Sequence, residues 1–371
     1  MLASRRRPAR LSRSRRFAGT TAKCPEAKII TVAAMPGRRV LVRVGDDCEL
    51  PLLGCICFGV IDRGTNLLQV RPVSGCNLCC PFCSVDEGPC SRTRVARYEV
   101  ALDYLLDFVR SVARFKGERL EMHIDGCGEP TLYPRLVELV QGLSEVEGVS
   151  VISMQTNGTL LTDEKIKELS DAGLSRINLS INALDEQLAK ILAGTEKYEL
   201  SRVLDVARAV AESKTDLLIA PVWLKGVNDA EIPKLVEFAR DVGAGRRYPP
   251  LGIQKYEAHK LGRKMPGVPQ VSWRKFYGWL RSLEARLNTK LVLSPQDFGI
   301  EPRRIIPTAF RRFETVRAEV VAQGWLRNEK LAVARERTIT LINAEKIPLG
   351  SVVKVRIIET KHNLYLGRVV G

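Results

Sequence analysis

Between residues 66 and 295, short apolar runs alternate with segments whose apolar residues recur at helical spacing. Repeated strand–helix units of this kind pair their strands in parallel and cover them with helices. We therefore predict an α/β fold, a partial (β/α)6 barrel with its binding groups at the carboxyl ends of the strands. The predicted strands are 66–72, 119–126, 149–155, 175–181, 216–223 and 250–256, with 290–294 as a further candidate. The predicted helices are 98–114, 133–145, 162–173, 200–213, 229–242 and 272–288.

Alternation along two of these strands places polar side chains on one face. Apolar residues occupy every second position of 120–125 and of 176–182, and the helices cover the apolar face of such a sheet. The polar positions therefore point into the barrel, and polar groups lining a barrel indicate a binding cavity. The inward residues are Glu121, His123 and Asp125 on one strand, and Asn178, Ser180 and Asn182 on the other.

Four of the ten cysteines lie within eight residues, at Cys76, Cys79, Cys80 and Cys83. No cysteine follows Cys127 and no signal peptide begins the chain, so a secreted disulfide framework does not fit. Two Cys-x2-Cys pairs would supply four ligands to a zinc ion, but Cys79 and Cys80 are adjacent and would both have to face it. Taken as Cys-x3-Cys-x2-Cys, three thiolates bind a 4Fe-4S cluster and leave one iron open for another ligand.

The second spacing, with Phe82 before the last cysteine, resembles the signature of the radical S-adenosylmethionine (SAM) superfamily. Loops after the predicted strands resemble further motifs of that superfamily, and the similarity covers residues 66–295. These loops are Gly126-Cys127-Gly128-Glu129-Pro130-Thr131, in which a cysteine replaces a glycine of Gly-Gly-Glu-Pro, then Thr156-Asn157-Gly158, Ser180, Leu224-Lys225-Gly226-Val227-Asn228-Asp229 and Gly252-Ile253-Gln254-Lys255-Tyr256.

The resemblance implies two cofactors and their ligands. Three irons of a 4Fe-4S cluster would be bound by Cys76, Cys80 and Cys83, and the fourth iron would hold SAM through its amino and carboxylate groups. The implied reaction is reductive cleavage of SAM to methionine and a 5′-deoxyadenosyl radical, with an electron from a donor such as ferredoxin or flavodoxin. The implied SAM-binding residues are Gly128, Glu129, Thr156 and Ser180. No catalytic acid–base residue is predicted.

The other cysteines and the histidines yield weaker expectations. We expect Cys79 to be a small buried apolar residue. Of the three histidines, only His123 is placed inside the barrel by strand alternation. Residues 24–65 are too short for the dedicated domain that carries an auxiliary cluster in methylthiotransferases. The candidate ligands of such an auxiliary cluster are nevertheless Cys48, Cys55 and Cys57.

After a proline-marked linker at 296–307, the sequence changes to short β-type runs separated by turns. Residues 308–371 are therefore predicted to form a small OB-like all-β barrel. The order of Gly324-Trp325, Pro348-x-Gly350 and a closing Leu364-x-Leu366-Gly367 resembles a TRAM domain, which is an RNA-binding module. Trp325 and Tyr365 are candidates for stacking on bases, with burial in the barrel core as the alternative.

The net charge of +16 is concentrated at the two ends of the chain. Residues 1–23 hold eight basic residues and no acid, and residues 301–371 hold fourteen basic and seven acidic ones. Such ends indicate a polyanionic partner. We expect 1–23 to be a basic disordered tail and 24–65 an N-terminal extension. No apolar run reaches the length of a membrane span, so a soluble, cytoplasmic protein is expected.

These features together predict a radical SAM enzyme, with a barrel at 66–295, that modifies tRNA or rRNA held by the TRAM-like barrel. One alternative keeps the enzyme class and changes the substrate to a small molecule or a protein. A second alternative is a zinc-containing RNA-binding protein without redox chemistry.

Overall fold

The structure is a computed structural model that describes residues 39–46 and 48–371. The predicted tail at 1–23 and the first part of the predicted extension at 24–65 lie outside the described residues. The first ten strands are β1 (Val40–Val44), β2 (Gly59–Asp62), β3 (Leu67–Arg71), β4 (Ala96–Val100), β5 (Leu120–Ile124), β6 (Val149–Thr156), β7 (Arg176–Leu179), β8 (Asp216–Ile219), β9 (Val222–Trp223) and β10 (Gln254–Lys255). The helices are α1 (Leu102–Lys116), α2 (Leu136–Ser144), α3 (Asp163–Asp171), α4 (Glu186–Ala193), α5 (Leu200–Glu212), α6 (Glu231–Asp241) and α7 (Trp273–Leu287).

A six-stranded sheet with the order β2-β3-β5-β6-β7-β8 forms the centre of the larger unit. Strand β2 is antiparallel to β3, and the other neighbours are parallel, as the strand–helix alternation predicts. Beyond β8, the parallel direction continues through a bridge from Ile219 to Leu251 and through the short pair of β9 and β10. The carboxyl ends of these strands therefore open toward one edge of the sheet, where the predicted site residues lie.

Prolines explain where the predicted strands are shortened. Pro221 divides the predicted strand at 216–223 into β8 and β9, and Pro249 and Pro250 leave only β10 of the strand predicted at 250–256. Proline has no backbone N–H to donate to a strand ladder. Pro221 and Pro250 therefore pair only through their carbonyl oxygens, which accept from the Gln254 and Ile219 N–H groups at 2.8 Å. The further candidate strand at 290–294 is wrong, since those residues form no strand.

Residues 96–100 form a strand, so the prediction of a helix from residue 98 is wrong. Strand β4 pairs in parallel with β1, and its buried side chains alternate with more exposed ones. Helix α1 begins only at Leu102. Helix α4 was not predicted; Asp185 caps it by accepting a hydrogen bond from the Leu188 backbone N–H at 2.7 Å, and Gly194 ends it in a left-handed conformation. None of the helices in the described part of the chain has the length and hydrophobicity to cross a membrane.

The smaller unit is a closed β-barrel, which confirms the prediction of a C-terminal all-β barrel. Its strands are β11 (Thr315–Gln323), β12 (Lys330–Ala334), β13 (Arg337–Ile342), β14 (Val352–Glu359) and β15 (Leu366–Val369), in the order β11-β12-β13-β15-β14. Tyr365 is buried in the barrel core against Phe310, and Trp325 is buried against the larger unit. Neither ring is exposed to stack on a base. The alternative of burial in the barrel core is confirmed for Tyr365, whereas Trp325 is buried against the larger unit instead.

The segment 50–58 joins the two units through backbone contacts. The Thr338 N–H donates to Leu53 O at 2.9 Å, and the Tyr365 N–H donates to Gly54 O at 3.0 Å. Gly54 has a φ of +124°, and a Cβ on it would lie 1.9 Å from Thr338 O. Only glycine fits between the β-barrel and the sheet at this position.

We predict that Gly54→Ala lowers the free energy of unfolding by more than about 2 kcal/mol, because it adds backbone strain and a clash with Thr338. Gly278 lies exposed inside α7 with no atom near its Cβ position, so Gly278→Ala is a matched control. That substitution should stabilise the protein by about 0.5–1 kcal/mol. Chemical denaturation measures both changes. An unchanged stability of Gly54→Ala would contradict the close contact between Gly54 and Thr338.

Candidate functional site

A cavity of about 490 Å³ opens at the carboxyl ends of the parallel strands. Loops after β3, β5, β6 and β7 and the strand β10 contribute to its wall. Every site residue predicted from the sequence lies in this wall: Cys76, Cys80, Cys83, Gly128, Glu129, Thr156 and Ser180. The fold therefore gathers residues that are more than one hundred positions apart in the sequence.

Backbone hydrogen bonds hold the cysteine loop, residues 72–95 between β3 and β4, next to the Gly128 loop, residues 125–129 after β5. Gly75 donates its N–H to Cys127 O at 3.1 Å and accepts the Glu129 N–H at 2.7 Å. Gly128 has a φ of +151°, and a Cβ on it would lie 1.7 Å from Gly75 O. Because any side chain at Gly128 would separate the two loops, this glycine sets the distance between the cysteines and Glu129.

The Glu129 carboxylate links the loop after β5 to the end of β6. Its Oε1 accepts hydrogen bonds from the Thr131 N–H at 3.0 Å, the Thr131 hydroxyl at 2.7 Å and the Thr156 hydroxyl at 2.6 Å. Its Oε2 accepts only the Asn157 N–H, at 2.8 Å. Burial raises the pKa of Glu129, and these hydrogen bonds oppose the rise. Since a carboxylate has about four acceptor sites, Oε2 retains room for a further donor such as an ammonium group.

Ser180 lies in the same cavity wall as Glu129, just after β7. Its hydroxyl accepts a hydrogen bond from the Gln155 side-chain amide at 2.8 Å. The hydroxyl proton is thereby left to donate to an acceptor in the cavity, such as a carboxylate or a ribose oxygen. Thr156 has the opposite arrangement, because its hydroxyl proton is committed to Glu129. Thr156 therefore orients the carboxylate.

The thiols of Cys76, Cys80 and Cys83 are free and partly exposed to the cavity. Burial raises the pKa of Cys76 and of Cys80 to about 12, and the charges of the neighbouring thiolates add to the rise. Three adjacent thiols in a half-buried site need a cation to become thiolates together, and bound iron supplies that charge. The donor set therefore fits a 4Fe-4S cluster, three irons of which these thiolates would hold.

A single zinc ion fits these residues poorly. Cys79 forms a disulfide with Cys90, with 5.6 Å between the two Cα atoms, so it has no thiolate to offer. Across residues 39–46 and 48–371, no group of three His, Cys, Asp or Glu side chains is arranged to hold one metal ion. An iron–sulfur cluster is wider than a single ion and takes ligands that stand farther apart. The expectation that Cys79 is a small buried apolar residue is wrong because of the disulfide.

The cysteines proposed for an auxiliary cluster do not surround a common point. The Cys48 thiol is 4.0 Å from Val321 O, in the β-barrel, whereas Cys55 and Cys57 are buried beside each other. The Cys127 thiol lies nearer to that pair and donates to Ile56 O at 3.3 Å. Because the Cys48 thiol contacts the β-barrel whereas Cys55 and Cys57 contact each other, the auxiliary cluster stays a prediction without support from these contacts.

Arg263 holds the cysteine loop and was not predicted from the sequence. Its guanidinium donates to Cys80 O at 2.7 Å, to the Asp86 carboxylate at 2.9 Å and to Glu87 O at 2.7 Å. Its backbone N–H donates to Cys83 O at 2.8 Å. One arginine thus satisfies the backbone acceptors of a loop that has no regular secondary structure. No local pattern in the sequence signals a partner at this separation.

Two further charged residues line the cavity without having been predicted. Arg71, at the end of β3, forms a two-point ion pair with Asp125 at 2.9 and 3.0 Å, and Lys255 pairs with Glu257 at 2.8 Å. Strand alternation would have revealed Arg71. Leu68 and Val70 of β3 share one face of the strand, so Arg71 lies on the opposite face together with Gln69. His123 instead bonds Ser153 through Nδ1 at 2.7 Å, and burial lowers its pKa, so it is a neutral ring within the polar interior.

Residues 70–239 match the family model of the radical SAM superfamily. This match includes the three cavity cysteines and the loops that carry Glu129, Thr156 and Ser180. The fold and the cavity thus define an enzyme of iron–sulfur and SAM chemistry, and the protein belongs to the radical SAM superfamily. Its cofactors are accordingly a 4Fe-4S cluster and SAM, and enzymes of this family need an electron donor.

Similar proteins extend over different lengths of the chain. The uncharacterized protein MJ0103 of Methanocaldococcus jannaschii is 42% identical over 86% of this chain and 79% of its own length. The GTP 3′,8-cyclase of Chlorobaculum tepidum is 28% identical over 54% of this chain, and the aligned region covers 57% of the cyclase. The crystal structure of Streptococcus suis SuiB bound to precursor peptide SuiA aligns with a TM-score of 0.49 at 20% identity, over 62% of this chain and 48% of that chain.

We predict that Cys80→Ala loses most of the iron that the protein binds on anaerobic reconstitution, from about four irons per chain to less than half. Two thiolates hold the cluster too weakly to keep it through gel filtration. Iron and sulfide analysis measures the loss, and Cys127→Ala is the control because its thiol lies in the same wall but outside the three-cysteine set. Stoichiometric zinc without iron in the unmodified protein would refute the cluster.

Proposed function

We propose that this radical SAM enzyme modifies RNA, either tRNA or rRNA, and that the C-terminal β-barrel holds the RNA as a TRAM-like module. The observation that carries the proposal is a basic barrel bonded directly to the cysteine loop. Residues 301–371 have fourteen basic and seven acidic residues, a balance that favours phosphate contacts. A module that binds RNA beside the cavity would keep a nucleotide near the reacting centre for longer.

Contacts between the barrel and the cysteine loop support this proposal. The Trp325 indole N–H donates to the buried Glu87 carboxylate at 2.7 Å, and the Arg94 guanidinium lies 3.7 Å from the Trp325 ring centroid. The Val95 N–H donates to Trp325 O at 3.0 Å. Glu87 and Arg94 lie in the segment that follows Cys83. A movement of the barrel would therefore shift this segment and, with it, the cysteines.

The residues of the cavity have separate tasks in the proposed reaction. Cys76, Cys80 and Cys83 would hold the cluster, which when reduced supplies the electron that cleaves SAM and starts hydrogen abstraction from the substrate. The Oε2 atom of Glu129 has room to accept a hydrogen bond from the amino group of SAM. Ser180 has a hydroxyl proton to donate to a carboxylate or ribose oxygen of SAM. The apolar part of the wall excludes water from the reacting atoms.

A small-molecule substrate is the second candidate, and the GTP 3′,8-cyclase relatives favour it. Their similarity is confined to about half of this chain. A cavity of about 490 Å³ also lies within the range of about 300–1,000 Å³ found for small-ligand sites. The basic barrel has no evident task in that reaction, and for this reason we rank RNA first.

We predict that total tRNA or rRNA increases the rate at which the reduced, reconstituted protein converts SAM to 5′-deoxyadenosine, and that GTP does not. Bound RNA places an abstractable hydrogen in the cavity, whereas without substrate the cleavage runs slowly. Chromatography measures the 5′-deoxyadenosine, and mass spectrometry of the digested RNA identifies the modified nucleoside. Cys80→Ala should form no 5′-deoxyadenosine. Stimulation by GTP alone, with RNA inert, would establish the small-molecule candidate instead.

A further inference from the structure

Four cations form like-charged pairs across neighbouring strands on the outside of the β-barrel. Arg317 of β11 lies directly opposite Lys354 of β14, and Arg356 of β14 lies opposite Arg368 of β15. All four side chains are exposed, and the residues between them in these strands point into the core. Like charges in directly opposed positions destabilise a sheet. We refer to these four residues as the basic stripe.

Within the described part of the chain, the basic stripe forms no ion pair. Among the residues that the structure describes, none of the four forms an ion pair with a carboxylate, whereas Arg335 on the same barrel pairs with Glu314 at 2.7 Å. The four exposed cations are therefore available to an anion from outside, and binding one would offset their mutual repulsion. A row of cations at the spacing of neighbouring strands suits a chain of phosphates better than a single anion.

An exposed aromatic ring lies at one end of the basic stripe. Phe313, just before β11, is 55% exposed, although the other aromatic rings of the barrel are buried in its core or against the larger unit. Its backbone is left-handed, with a φ of +69°, a conformation that is strained for a bulky residue. The Phe313 N–H donates to Ile357 O at 2.7 Å and fixes this conformation. The barrel thus holds an apolar ring in solvent at a cost in stability.

Two arginines lie over the exposed ring in cation–π contacts. The guanidinium carbon of Arg312 lies 4.8 Å from the centroid of Phe313, and that of Arg356 lies 5.5 Å from it. Arg312 is itself anchored, since its Nε donates to Ile358 O at 3.0 Å. Arg356 belongs to the basic stripe as well, so the ring and the row of cations are continuous. Single-stranded bases stack on aromatic rings and on arginine planes, so a base can join this stack or take the place of one guanidinium group on the ring.

We propose that Phe313 and the basic stripe bind a single-stranded segment of RNA, with one base stacked on the ring and the adjacent phosphates on the four cations. The proposal rests on the proposed function and adds to it the strandedness of the RNA and the surface that holds it. A duplex would use only the cations, because its bases are already stacked on one another. An acidic peptide would likewise leave the ring without a task.

The test uses the full-length protein and a short fluorescein-labelled oligouridine, with binding measured by fluorescence anisotropy. Phe313→Ala and Phe313→Asn should each weaken binding about tenfold, the effect of losing one stacked base. Asparagine tolerates a left-handed backbone, so Phe313→Asn should fold at least as stably as the unmodified chain. Phe313→Trp should keep the affinity, and its indole emission should be quenched by the RNA because the base lies on the ring.

Salt dependence separates the ring from the cations. Lys354→Gln should lower the slope of log affinity against log salt by about 0.7, the value for one phosphate contact with a single strand. Phe313→Asn should weaken binding with the slope unchanged. Two exposed residues serve as controls and should change neither quantity: Leu349→Ala on the barrel for apolar contact, and Arg202→Gln on α5 for charge.

The outcomes distinguish this proposal from the function on which it rests. If the protein binds oligouridine and both Phe313 variants bind it equally well, the ring is not a base platform, while RNA modification still stands. Tighter binding of duplex RNA or of polyglutamate than of oligouridine also overturns the proposal. If the full-length protein binds neither oligouridine nor tRNA, the proposed function fails together with it.

Discussion

The contact between the backbones of Gly75 and Gly128 determines where the rest of the site can lie. Two hydrogen bonds join the loops, and a Cβ on Gly128 would lie 1.7 Å from Gly75 O. The cysteines follow Gly75 directly, and Glu129 follows Gly128. A side chain at Gly128 would push the two backbones apart and so move the thiols away from the carboxylate. The parallel strands β3 and β5 make the approach possible, because both loops leave the sheet at the same edge.

The cysteine loop has no regular secondary structure, so its shape depends on partners from other parts of the chain. Arg263 bonds its carbonyl groups from one side, and Trp325 of the β-barrel bonds Glu87 from the other. The disulfide of Cys79 and Cys90 joins its two ends. A loop held at three places has few conformations to lose when it binds a ligand, and this preorganisation favours tight binding.

Local features of the fold could be predicted from the sequence, whereas long-range partners could not. The strand–helix alternation and the cysteine spacing are local patterns, and they identified the main strands and the cavity residues. The pairing of Cys79 with Cys90 and the bonds of Arg263 depend on which distant segments meet, and no periodicity encodes that. Phe313 shows a further limit: the sequence left Trp325 and Tyr365 open between base stacking and burial, and only the folded chain shows that Phe313 is the exposed ring.

The cavity and the barrel share one physical property, which is a set of charges that the chain does not neutralise by itself. Three adjacent thiols need a cation before they can all ionise, and four exposed cations lie in like-charged pairs whose repulsion an anion would offset. Each ligand therefore removes an unfavourable interaction of the folded state as well as forming new contacts. A ligand that binds only the folded chain stabilises it, by roughly 2.7 kcal/mol at one hundred times its dissociation constant. The hydrogen bond from Trp325 to Glu87 joins the β-barrel to the segment that follows the cysteines, so a ligand that stabilises either unit also restrains that segment.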